Sequence, residues 1–149
     1  GTMPDTVNRD TLGALLGSQV TGVLATESHH QPYANLVAFS FSDDLRKLFF
    51  ATPRDTVKYR NLAGNPRLAL VIDSRNNNPE DFSRATAVTA LGYGRELTGD
   101  ARIKPLAHHS RRLPGLASFI ETGSIALFEI EVFKYIITRG LDATSVFIP

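Results

Sequence analysis

The sequence predicts a mainly β protein, a closed or nearly closed barrel with short helices, and three observations carry that expectation. Six or seven apolar segments of strand length recur along the 149 residues. The turns between them are short and polar. Segments with a helical period are brief and are interrupted by Gly or Pro, which argues against the long crossover helices of a parallel α/β sheet.

Residues 6–18 suit a short amphipathic helix, with Val7, Leu12, Leu15 and Leu16 near one face and two glycines weakening it. Residues 22–26, 33–41 and 48–52 read as three strands joined by the polar turns "ESHHQP" and "SDDLRK", an antiparallel meander. After Pro53 the period changes. Asp55 is positioned to cap a helix whose first turn holds Thr56, Val57 and Lys58; Gly64 suits its end, and Pro66 stops it. Residues 67–74 form a strand, "RNNNPEDFS" a polar loop, and residues 84–99 a long alternating strand. Residues 100–120 are helical in tendency but divided by Pro105 and Pro114. In the last long strand, residues 124–140, Phe128, Ile130 and Val132 share one face and Glu129 and Glu131 the other. Past Val132 the apolar positions slip to Phe133, Tyr135 and Ile137, which implies either a bulge or cover on both faces, the second from another subunit.

Composition narrows the function classes. Hydrophobic residues make up 42% and charged residues 21%, as in a globular domain with a core. With 16 basic against 15 acidic side chains, net charge is +1, too balanced for a dedicated nucleic-acid or anionic-membrane surface. Absence of Cys removes disulfides, thiolate zinc sites and a cysteine nucleophile. No apolar run reaches the ~20 residues of a membrane helix, and no signal pattern opens the chain. The expectation is one cytoplasmic domain over residues 1–149, with Gly1-Thr2 ahead of Met3 as a vector remnant and neither nucleic acid nor membrane as partner.

The stretch "FFATPRDTVKYRNLAGNPRLAL" carries the candidate chemistry. A helix start exposes unpaired N–H groups and the positive end of the helix dipole. The Thr56 hydroxyl and Lys58 ammonium add a donor and a full charge beside them, and Thr52, ending the preceding strand, adds another donor. Together they make a phosphate cradle, with the backbone of residues 35–38 alongside for a flat ring. A solvated Lys58 with no ligand has the same spacing, so both readings stand at this point.

The ordered set "GVLAT…QPYANLVAF…LFFAT…DTVKYRNLAGNPRLAL" resembles the pyridoxamine-5′-phosphate-oxidase-like family of FMN-binding split barrels. The resemblance implies a Greek-key split barrel, a homodimer with one FMN at each end of its interface, and a small-molecule substrate or electron donor. On the matching positions, Thr56 and Lys58 would hold the FMN phosphate with Val57 between them. Asn35, Leu36, Val37 and Ala38 would line the isoalloxazine and ribityl chain, and Thr52 would contact the ring's polar edge or the ribityl hydroxyls. Arg139 either reaches a cofactor across the dimer or simply ends its strand. The chain departs from the family pattern where basic residues are expected on the second strand (Asn35 and Ser40 here), where an Arg usually precedes the Lys (Val57), and where an Arg-Gln pair is expected on the fifth strand (Thr86-Ala87). Pyridoxamine phosphate is therefore not the expected substrate. The implied activity is an FMN-dependent oxidoreductase; haem or a deazaflavin as cofactor, or a non-catalytic flavin-binding module, are the alternatives.

Other signals are weaker. His29-His30 and His108-His109 are adjacent pairs whose side chains point apart, unlike one-face zinc motifs. The first is read as loop, the second as basic surface beside Arg111 and Arg112, suited at most to a haem propionate or a substrate acid. "GYG" at residues 92–94 reads as a bulge or close backbone approach, not a dinucleotide loop. Ser110 and Ser124 lack a nucleophile-elbow context, and no residue stands out as a general acid or base.

Overall fold

The computed structural model describes residues 5–120, 124–140 and 143–149, without the side chains of Asp5 and Val7. Gly1-Thr2 and the side chain of Val7 lie outside the described residues. Helix α1 (Asp5–Ser18) leads to β1 (Thr21–Ser28), β2 (Gln31–Ala38), β3 (Ser40–Phe41) and β4 (Lys47–Pro53). Helix α2 (Val57–Gly64), β5 (Arg67–Asp73), the single turn α3 (Asp81–Arg84) and β6 (Thr86–Leu97) follow. The chain ends through α4 (Asp100–Arg112), α5 (Ala117–Ile120), β7 (Ile125–Arg139) and β8 (Ala143–Phe147). All strand pairs are antiparallel, in the order β2-β1-β5-β6-β7-β4-β3 with β8 on β7. The two ends of that order, β2 and β3, are parted in the chain only by Phe39, so the sheet curls back towards itself.

Four expectations need correcting. The segment read as one strand over 33–41 breaks at Phe39, because β2 pairs with β1 only as far as Ala38 opposite Thr21, and the chain then turns to pair Ser40 with Phe49 of β4. The meander also fails at its third strand: β4 pairs with β7, not β2. Pro105 does not divide the helical segment; α4 runs through it, with only the backbone hydrogen bond to the Ala101 carbonyl removed. Finally α3 lies at the end of a stretch read as polar loop.

The slip after Val132 is a bulge. Leu91 faces Lys134 and Gly92 faces Val132, so Phe133 is the extra residue. One inserted residue exchanges the faces of a strand, which is why Val132 and then Tyr135 and Ile137 all point into the core. That core also takes Leu24, Phe39, Leu70 and Ile72, with Leu12, Leu15 and Leu16 laid in from α1; full burial of each such side chain contributes roughly 1.5–3 kcal/mol. A second cluster, Phe49, Leu97 and Leu127, lies under Leu106 of α4. This outer cover comes from the chain's own helix, so burial of both faces there needs no second subunit.

Gly92 sits at the bulge because a Cβ there would meet the Glu131 carbonyl oxygen at 2.5 Å. Backbone cannot yield as a flexible side chain can. Gly92→Ala is expected to cost about 1–3 kcal/mol of stability, read as a lower urea midpoint; an unchanged midpoint would mean that the close approach is not needed.

Candidate functional site

Helix α2 is fixed at several points. Leu62 enters the core, and Asn61 Nδ2 donates to Thr26 Oγ1 of β1 at 3.1 Å. Tyr59 meets Phe128 edge-on with ring centroids 5.8 Å apart, and its hydroxyl donates to Glu96 Oε1 at 2.7 Å. Arg54 binds the other Glu96 oxygen at 2.7 Å. Burial works against charge on Glu96, but these two donors outweigh it and hold the carboxyl below the usual carboxylate range.

The helix cap is Thr56, not Asp55. Thr56 Oγ1 accepts from Tyr59 N–H at 3.3 Å, lies 2.8 Å from Thr52 Oγ1, and both hydroxyls stand 3.0 Å from the Pro53 carbonyl. Asp55 is exposed, and a Thr hydroxyl three residues before an amide is an equally good cap. The amides of Val57 and Lys58 begin the helix with no carbonyl a turn earlier to receive them.

Lys58 follows this cap and is only 9% exposed. Among the described residues no carboxylate pairs with it, and burial pushes its pKa below that of a solvated lysine. It lines a cavity of about 320 Å³ together with Leu36, Val37 and Ala38 of β2, Ala51 of β4 and His109 of α4. Leu116, Phe119 and Ile120 add apolar wall, and Thr21 of β1 also lines it.

The structure thus brings Leu36, Val37, Ala38 and Lys58 to one cavity. Thr52, fully buried, directly follows Ala51; Thr56 and the exposed Val57 directly precede Lys58. Asn35 is half-buried beside Leu36, and its Oδ1 has no donor. Arg139 is not brought there: its guanidinium lies 3.0 Å from the Thr11 hydroxyl of α1, at the far end of β7.

His109 is the residue that sequence reasoning missed. The pair read as basic surface is tied inward: His108 Nε2 donates to the Phe41 carbonyl at 2.7 Å, and His109, 1% exposed, sits 2.6 Å from Ser40 Oγ through Nδ1. Its Nε2 is buried without a partner among the described residues. The signal was present, since Leu106, His109 and Leu113 recur at helical spacing on one face.

Comparison with known proteins agrees with this fold. A family model described as pyridoxamine 5′-phosphate oxidase matches residues 9–132. Among proteins with curated descriptions, none matches the sequence. A heme binding protein from Mycobacterium smegmatis superposes with a TM-score of 0.83 at 17% identity, over 99% of this chain and 60% of that one; this chain therefore spans less than two thirds of that protein. A FAD-binding protein from Mesorhizobium loti gives a TM-score of 0.71 at 19% identity, over 85% and 89% of the two chains. A Clostridium acetobutylicum protein related to general stress protein 26, of the pyridoxinephosphate oxidase family, gives 0.74 at 14% identity, over 97% and 96%. At such identities the likeness is one of fold, the curled antiparallel split barrel.

Burial, with smaller pushes from His108 and Arg112, lowers the His109 pKa from 6.5 to about 4. Within that interval the unfolded chain takes up a proton that the folded chain refuses. Stability therefore falls as pH drops from about 6.5 to about 4 and the loss then levels off. The size is roughly 3 kcal/mol. Urea unfolding across this window is expected to show the parent losing that much more than His109→Gln; parallel profiles would contradict a buried neutral imidazole.

Proposed function

Since the chain belongs to the pyridoxamine 5′-phosphate oxidase family, we propose that it is a homodimeric FMN-dependent oxidoreductase acting on a small molecule, with the flavin phosphate at the start of α2. One observation carries the reading: Lys58 is a largely buried lysine, without a carboxylate partner among the described residues, in the wall of a cavity. An unpaired charge in such a place costs stability, and a ligand anion is the counter-charge that offsets it.

The residues present fit an FMN. Lys58 and the amides of Val57 and Lys58 would hold the phosphate, as anions are held at helix starts. The hydroxyls of Thr52 and Thr56 occupy each other and the Pro53 carbonyl, so they would brace the cap and donate only after rotating. Val37 and Ala38 offer backbone and small side chains along which a flat ring can lie, and the orphan Asn35 Oδ1 suits a ligand N–H. When bound, FMN supplies the electron transfer, and the chain supplies binding and orientation.

The rim of the cavity supports the dimer reading. Leu36 is 69% exposed and Phe119 46% exposed although both line the cavity wall. A second copy lying over β2 would cover them and shut water from the ring.

Haem is the second reading, favoured by His109 in an apolar wall. Iron ligation needs a lone pair on Nε2, which obliges Nδ1–H to donate to Ser40 Oγ. A Soret-type band on haem addition, lost in His109→Ala, is what that reading requires.

Purified protein is expected to carry or take up FMN, seen as the visible absorption of oxidised flavin; protein that stays colourless with added FMN would end the reading. Lys58→Met is expected to weaken FMN binding by roughly ten- to a hundredfold while raising the melting temperature of the ligand-free protein. Leu36→Asp is expected to give monomers in sedimentation velocity.

A further inference from the structure

The hydrogen-bond inventory around His109 can be closed, and it leaves one group over. Ser40 is fully buried and its hydroxyl carries one proton. Among the described residues the sole acceptor for that proton is His109 Nδ1, at 2.6 Å. Were Nδ1 protonated instead, the Ser40 hydrogen would be buried with no acceptor among the described residues, which is unfavourable. The hydroxyl therefore donates to Nδ1, and the ring proton resides on Nε2. This makes Nε2–H a buried donor with no acceptor among the described residues.

That donor and the Lys58 ammonium, which has no carboxylate partner among the described residues, belong to one cavity wall, whose other lining residues are apolar except Thr21. A buried donor without an acceptor is rare in folded proteins. It signals a partner that arrives with the ligand.

We propose that His109 is a ligand-binding residue: Ser40 fixes its tautomer so that Nε2–H donates to a second acceptor on the ligand that Lys58 holds by its anionic end. The ligand class is thus an anion with a separate carbonyl or ring-nitrogen acceptor and an apolar plate between. The same assignment counts against His109 as an iron ligand, because the nitrogen in question carries a proton. The inference rests on the flavin reading only for the choice of probe.

The test pairs a titration with a spectrum. FMN is titrated into the parent, His109→Asn, His109→Gln and Lys58→Met. Asn can keep the Ser40 contact but has no group at the Nε2 position; Gln can carry an amide donor there. The expected result is three- to tenfold weaker FMN binding for Asn, the size of one buried hydrogen bond, with Gln near the parent. FMN binding that falls in Lys58→Met and is unchanged in His109→Asn would overturn the His109 assignment and leave the flavin reading intact. Parent protein that binds no FMN would retire the flavin reading instead. In that case nitrogen-15 NMR of the ligand-free parent decides the inference: an Nε2–H tautomer upholds it, and an Nδ1–H tautomer overturns it.

Discussion

The structure depends on how α2 is docked. Leu62 in the core, Asn61 on Thr26 and Tyr59 on Phe128 and Glu96 leave the helix no freedom to rotate about its axis. Its first turn must then begin at Thr56, and Lys58 must lie inward rather than in water. The unfavourable burial of that ammonium is sustained by ordinary apolar and polar contacts elsewhere on the same helix. On the proposed reading, local stability is given up at Lys58 so that a charge waits where a ligand can use it, an arrangement common to binding sites.

The barrel sets the opposite wall. Because β2 leaves β1 at Phe39 and continues as β3 against β4, the residues just before the break, Leu36 to Ala38, pair with β1 and also line a cavity shared with His109 of α4. Helix α4 covers the outer face of β7 with Leu106 and carries His109 into that gap. The bulge at Phe133 serves the same end at a distance, letting β7 keep apolar residues inward on both sides of the irregularity.

Much of this was legible in the sequence. The strand succession, the bulge after Val132 and the tight glycine at 92 all follow from period-two patterning and from where it slips. The junction at Thr52 to Lys58 is legible because hydroxyl, cation and helix start fall within a few residues, and the family pattern adds Asn61-Leu62, whose docking role only coordinates reveal. Pairing was less legible. Three neighbouring strands with short turns look like a meander, and nothing local says that β4 prefers β7 to β2; that choice is made by residues some 75 positions apart. Pro105 misled because a proline inside a helix removes one backbone hydrogen bond without necessarily ending the helix. His109 was read as surface because adjacent arginines weighed more than its spacing from Leu106 and Leu113. Arg112 in fact turns inward too, donating to the Leu16 and Gln19 carbonyls that end α1.

The central claim is that the start of α2 recognises a phosphate. Riboflavin is FMN without that group, so the ratio of their dissociation constants on the parent protein isolates the contribution of the anchor. The account predicts that FMN binds roughly ten- to a hundredfold more tightly than riboflavin, the scale of charge-assisted hydrogen bonds, with the gap narrowing as salt is added. Equal affinity for the two flavins would contradict it.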